Sequence, residues 1–395
     1  MGKSLGWMAA AFFLVGCTHT NVRLNRAQVP LELRVHNTTR ATLSAVLVPE
    51  APNNDGYFVG LALSGGGSRS ANFSAACMFE LEKLGILQRV DYISSVSGGS
   101  LTAAYYCLSA KEWNPGEVQK RLTHPFASDV IFTALMPWNT LALIVTPWNR
   151  SDILADSFNR VLYSHDGRMA TFADLRADRP RLLINATDLE SGSKFIFCNE
   201  DFDDLNSDLS KYPVAYAVAA SAAVPVLLHQ VTLHDYSTAF LRYRHLIDGG
   251  INDNLGVTTL VEAYTAQVEQ AKQTHQPDPY PHGLILIVVD AHTTFDAEID
   301  NKPDIGILDS LAAGAGLSTT VLLNRISSAT LAEIIVKYAP NDTTAQKLRE
   351  EVAQLEKVGV LETKDRDGKP VRVIHLALFR VGELTDLPFV SFGKS

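Results

Sequence analysis

Cysteine is scarce in this chain. Its four thiols, Cys17, Cys77, Cys107 and Cys198, are too far apart for a zinc site and too few to staple a fold of 395 residues. A basic excess is missing too: 34 Lys and Arg stand against 43 Asp and Glu, a net charge of −9. That balance argues against nucleic acid as a partner and against general attraction to anionic lipid. Long apolar runs are absent. Leu5 to Val15 is too short to span a bilayer, and Phe126 to Trp148 is broken by Pro137 and Asn139. The acidic run Glu200, Asp201, Asp203, Asp204 and Asp208 lacks the glycine and terminal glutamate of a calcium loop, so it reads as a solvated loop. No metal and no cofactor is expected, and no internal repeat or low-complexity segment is evident.

What is present is enough apolar material for one large or two modest cores, with 46% hydrophobic residues and a mean hydropathy of +0.04. Residues 1–16 carry one lysine, Lys3, and an apolar stretch of signal-peptide length. Residues 17–56 are polar, with one alternating stretch from Leu31 to His36, and read as a tether plus an edge strand. Between 57 and 295 apolar strands alternate with helices, the pattern of an α/β domain with a largely parallel central sheet flanked by helices in three layers. Residues 296–395 read as a C-terminal helical extension that reaches about residue 362, with Leu348, Val352 and Leu355 on one face and Gly359 as its stop. A closing strand follows from Val371 to Leu378. Cys77 and Cys107 fall in apolar helical stretches and read as small buried hydrophobes.

Two glycine-rich turns carry the chemistry. Phe58 to Leu63 is a nearly continuous apolar strand that runs into Ser64-Gly65-Gly66-Gly67-Ser68-Arg69 and then a helix from Ala71 to Leu84. Such a turn aims backbone N–H groups at an anion. It is not a P-loop, because Ser68-Arg69 stands where Lys-Ser/Thr is needed, and no glycine falls three residues after Gly67 to complete a dinucleotide turn. The second turn repeats the geometry with a hydroxyl at its apex: strand Tyr92 to Val96, then Ser97-Gly98-Gly99 and a helix. Strand, bent serine and helix with small neighbours form a nucleophile elbow, although Ser95 stands where the usual pattern has glycine. Further on, Asp248-Gly249-Gly250 places a carboxylate at the end of an apolar stretch.

In that order, the Gly65-Gly66-Gly67-Ser68-Arg69 loop, the Ser97-Gly98-Gly99 elbow and Asp248-Gly249-Gly250 resemble the patatin-like phospholipases. Asn185 to Leu189 and Ala220 to Pro225 are similar to the family as well, and the resemblance covers about residues 57 to 295. It implies a Ser-Asp dyad: Ser97 as nucleophile, Asp248 as base, and an oxyanion hole of the Gly65, Gly66 and Gly67 amides, supported by Arg69, Gly98, Gly99 and Gly249. Arg69 would brace the loop or face a lipid phosphate. The implied substrates are membrane phospholipids or related acyl esters. The rival chemistry is a Ser-His-Asp triad drawing on His282, His292 or His375, and a third reading is a catalytically idle lipid-binding lipoprotein.

The N-terminus places this chemistry. Leu14-Val15-Gly16-Cys17 looks like a bacterial lipobox, in which Cys17 is acylated and begins the mature chain. Loss of residues 1–16 removes only the charge of Lys3 and leaves −10. The expected location is the bacterial cell envelope, lipid-anchored at the outer membrane. For Phe126 to Trp148, the two readings are a lid or interfacial patch carrying Trp138 and Trp148, and a helical hairpin packed on the sheet.

Overall fold

The computed structural model describes residues 21–22, 25–28, 55–165, 167–225, 227–292, 357–365 and 367–378, with single positions at 326, 327, 329, 330, 332, 350 and 355. The expected signal peptide, Cys17, the Leu31 to His36 strand and most of the C-terminal helical extension lie outside them. Strand β1 (Tyr57–Leu63) turns into α1 (Gly67–Lys83), and β2 (Tyr92–Val96) turns into α2 (Gly98–Leu108). Helices α3 (Pro115–Leu122), α4 (Phe126–Leu135), α5 (Pro137–Val145) and α6 (Arg150–Phe158) come next, then a small hairpin, β3 (Ser164–His165) and β4 (Arg168–Met169). Strands β5 (Arg181–Asp188) and β6 (Lys194–Phe197) precede α7 (Asn199–Asp204), α8 (Val214–Ser221), β7 (Val231–Asp235) and β8 (Arg242–Asp248). The described chain finishes with α9 (Val257–Gln273), β9 (Gly283–Asp290), β10 (Val360–Lys364) and β11 (Pro370–Ala377).

These elements fall into two compact units, one of Thr42–Ala103, Asp178–Leu183 and Gly250–Ser395, the other of Met1–Ala41, Ala104–Ala177 and Ile184–Gly249. In the first, the strands run in the order β10-β11-β9-β1-β2. Three of the pairings are parallel, and β10 closes on β11 as an antiparallel hairpin. The first residues of β5 continue this sheet beside β2, where Arg181 N–H donates to the Asp91 carbonyl. A strand with parallel neighbours on both sides and helices over its faces must be apolar throughout, and Phe58, Leu61, Ala62 and Leu63 are fully buried. Phe58 stacks on Tyr92 at 5.1 Å and meets Tyr264 and Tyr280 edge-on, while Gln267 of α9 donates to the Tyr92 hydroxyl and accepts from that of Tyr280. The expected closing strand is β11, in register with β9 from Val371 opposite Leu284 to Ala377 opposite Asp290. Gly359, at φ +81°, donates to the Leu355 carbonyl just ahead of β10.

In the second unit β5 pairs antiparallel with β6 and β8, and β8 with β7. Helix α6 packs against α4 and α8. Its start is fixed by a capping box, in which Asn149 accepts from the Ser151 and Asp152 N–H groups and Asp152 accepts from Asn149 N–H. The acidic run differs from expectation. Residues 199–204 form α7 with Phe202 fully buried, and Asp201 turns inward to accept from Ile196 N–H, burial pushing its carboxyl up to about 6. A solvated loop has no use for Phe202, whose anchoring is what makes this segment helical.

Residues 21–22 and 25–28, expected as tether, are docked on β7 and α6. Asn21 accepts from Thr232 N–H, Val22 N–H donates to Asp152, and Asn25 both accepts from His234 N–H and donates to its carbonyl. Cys107 is buried as expected, whereas Cys77 keeps partial exposure, and burial pushes its thiol up to about 12.

Candidate active site

The first unit brings the two glycine turns back to back. Ser64, the residue after β1, donates from N–H to the Val289 carbonyl, and its hydroxyl accepts from Ala291 N–H, so the loop is pinned to the end of β9. The chain then needs φ +137° at Gly66 and φ +61° at Gly67, backbone angles that side-chain-bearing residues rarely adopt. Gly67 opens α1 and is exposed, which puts the loop's peptide groups at a helix N-terminus.

Ser97 sits at φ +48°, one of three non-glycine residues with positive φ among those described. A serine held in this left-handed region between a strand and a helix is the strained turn that a nucleophile elbow requires. The surrounding glycines are dictated by contact. A Cβ on Gly98 would lie 2.0 Å from the Gly67 carbonyl oxygen, and one on Gly99 would lie 2.6 Å from that of Leu63. A Cβ on Gly65 would come 3.5 Å from Ser97 Cβ. The two turns therefore touch backbone to backbone, with Ser97 against Gly65. Ser95 does not disturb the elbow: it is fully buried in β2, and its hydroxyl reaches the Leu183 carbonyl.

One expectation needs correction. The Gly65 N–H is not aimed outward; it donates to the Asn254 carbonyl at 2.9 Å. Among the described residues no backbone carbonyl takes the Gly66 or Gly67 N–H. Asn254 is the residue that the motif reading missed. It follows Asp253, which caps α9 by accepting from the Leu255, Gly256 and Thr258 N–H groups. Its side-chain nitrogen donates to Ser327, and its Oδ1 stands 2.4 Å from where a Gly65 Cβ would be, with no partner among the described residues. The signal was its place four residues after Gly250, in the turn Asn252-Asp253-Asn254, which reads as ordinary turn chemistry.

Arg69 lies on the first turn of α1, half-buried, with its guanidinium 3.4 Å from where a Gly66 Cβ would be and attracted by Asp290. Burial lowers its pKa and Asp290 opposes that shift, an arrangement suited to bracing the loop. Asp290 is shared: it accepts from His375 Nε2 at 3.1 Å, both groups buried, and from His292 N–H. His282 is at the wrong end of the sheet for a triad. It precedes β9, bonds the Asp55 carbonyl ahead of β1, and so is separated from the Ser97 end of these parallel strands by the length of a strand, roughly 20 Å.

Asp248 and Gly249 belong to the second unit. Asp248 is the last residue of β8 and is buried; its N–H donates to the Ala223 carbonyl, and its own carbonyl accepts from Thr187. Gly249 cannot carry a side chain, since a Cβ there would lie 2.3 Å from the Asn185 carbonyl oxygen. The family-like stretches at 185–189 and 220–225 thus hold the aspartate's backbone, Ser221 adding a bond to the Asn185 carbonyl.

Parallel strands that end in a glycine loop and a strained serine define an α/β protein with a serine elbow. The patatin-like phospholipase family matches residues 61–261, just over half of the chain and a stretch that contains both turns and Asp248. The chain belongs to that family. Among curated proteins none matches it. Similar solved structures include human GIVD cytosolic phospholipase A2, 12% identical, covering 80% of this chain and 50% of that one, with a TM-score of 0.41. VipD from Legionella pneumophila is 12% identical, with coverage of 82% and 61% and a TM-score of 0.28. The complex of SpcU with ExoU from the type III secretion system of Pseudomonas aeruginosa is 13% identical, with coverage of 77% and 60% and a TM-score of 0.29. The chain spans about half the length of the human phospholipase that it matches.

Proposed function

We propose that the protein hydrolyses carboxylic ester bonds of lipid acyl chains through a Ser97-Asp248 dyad. The observation that carries this reading is Ser97 at φ +48° with its Cβ against Gly65 and the next residue, Gly98, against the Gly67 backbone. Ser97 Oγ attacks the ester carbonyl while its proton passes to the Asp248 carboxylate, and the oxyanion accepts hydrogen bonds from Gly66 and Gly67 N–H. Collapse breaks the bond to the alcohol, which leaves with the proton from Asp248. Water then attacks the acyl-serine, gives a proton to Asp248, and the fatty acid departs as Ser97 is restored. A carboxylate is a weak base toward a hydroxyl, so the reading requires a dry site and close approach of the two groups in the reacting state.

Phospholipids, cleaved in phospholipase A or lysophospholipase fashion, are the substrates the family membership favours. Acylation at Cys17 would deliver the enzyme to the outer membrane and stands on the Leu14-Val15-Gly16-Cys17 motif. A fluorophosphonate probe tests the nucleophile. Wild type labels, and Ser97→Ala loses labelling with turnover. Asp248→Asn loses turnover by at least about a hundredfold. Labelling that persists in Ser97→Ala overturns the assignment.

A further inference from the structure

The second unit carries an apolar face that the dyad does not use. Helices α4 and α5 expose Ile131, Phe132, Leu135, Met136, Trp138, Leu141, Ile144 and Val145, each at 42–69% of its accessible surface. Within Phe126–Val145 the one charged side chain is Asp129, and it is held by Arg160, Ser157 and His124. A contiguous face of this kind marks an interaction surface.

We propose that this face seats in the acyl layer of a lipid bilayer, with α4 and α5 lying in the plane of the leaflet. No single helix among the described residues is long and apolar enough to cross a membrane, and the chain bends by 83° between residues 115–135 and Pro137–Val145, which favours two short helices lying along a surface. Trp138, the most exposed of these eight side chains at 69%, is the residue type that settles where hydrocarbon meets headgroup. The face offers no charge to specify an acidic or basic protein partner, and none to repel phospholipid. Helix α4 packs on α6, and α6 in turn holds the docked N-terminal residues. Val22 N–H is bonded to Asp152, only seven residues beyond Val145, and three residues separate Asn21 from Cys17, a reach of about 14 Å at full extension. An acyl group on Cys17 therefore holds this unit against the membrane from which the substrate comes. The inference deepens the lipid-hydrolase reading and rests on it for the choice of occupant.

The test uses the full-length protein with neutral phosphatidylcholine vesicles whose acyl chains are brominated near the headgroup. Emission from Trp138 moves to shorter wavelength and is quenched, the change is missing in Trp138→Phe, and added salt leaves it intact. Phe132→Ser combined with Leu141→Ser cuts hydrolysis of vesicle lipid about tenfold and leaves hydrolysis of a short, monomeric ester at the wild-type rate. Trp138 that stays open to an aqueous quencher in the presence of vesicles overturns the proposal. So does efficient Phe132→Cys self-crosslinking without lipid, which assigns the face to a second copy. If wild type fails on the monomeric ester as well, the hydrolase reading falls, while the quenching still decides the surface.

Discussion

At the scale of single residues, the site is a set of close approaches that only glycine permits. Gly98 and Gly67 are both essential in sequence terms, yet their substitutions should differ. Gly98→Ala drives a methyl into the Gly67 backbone at 2.0 Å and should cost several kcal/mol or disrupt the site, whereas Gly67 has nothing within 4 Å. Gly67→Ala should cost only the strain of φ +61°, about 1 kcal/mol, and keep the fold. Thermal melts with fluorophosphonate labelling separate the two.

Asp91 gives a pH signature at the same scale. Its Oδ2 accepts from Val59 N–H, Oδ1 has no partner among the described residues, and burial pushes the carboxyl up to about 7. The fold therefore favours the protonated form. That contribution is fully present below the unfolded value of 3.8 and is lost as pH rises through about 7. Asp91→Asn should raise the melting temperature more at pH 8 than at pH 5; an equal effect at both would contradict the assignment. The glycine turns were legible in the sequence because backbone angle and contact leave no other residue. The Gly65 bond to Asn254 was not, since a main-chain acceptor leaves no trace in residue type.

At the scale of elements, the strands of the first unit were readable from apolar runs and the closing strand from its alternation, because burial on two faces or one writes a direct pattern. The acidic run misled because six residues are too short for periodicity to outweigh charge, and one buried phenylalanine decided the outcome. The docking of residues 21–22 and 25–28 was hidden for a related reason: its hold comes from Asn21 and Asn25 bonding to strand edges, and polar residues read as tether. Helix α6 holds this strap through its cap, where Asp152 accepts from Val22 N–H. Asn149→Ala removes acceptors for Ser151 and Asp152 N–H and should cost about 1 kcal/mol in urea melts. Asn25→Ala should loosen the strap while leaving monomeric-ester hydrolysis unchanged, with hydrogen exchange at His234 as the readout.

At the scale of the whole molecule, family membership accounts for residues 61–261, and the chain outside that range supplies the docked residues 21–22 and 25–28 and the strands β9, β10 and β11. A net charge of −9 gives no general pull toward anionic lipid, so the proposed membrane contact rests on the acylation expected at Cys17 and on the apolar surface of α4 and α5. Labelled palmitate retained by the wild-type protein and lost in Cys17→Ser would establish the first; equal incorporation in both would remove it. The central claim is that a strained serine against the glycine loop attacks lipid esters with an aspartate as its base. The most direct measurement is mass spectrometry of the acyl-enzyme trapped during turnover of a phospholipid. Wild type should carry a fatty acyl group on Ser97, and Ser97→Ala and Asp248→Asn should carry none. An adduct on any other residue, or full acylation of Ser97 in Asp248→Asn at the wild-type rate, would contradict it.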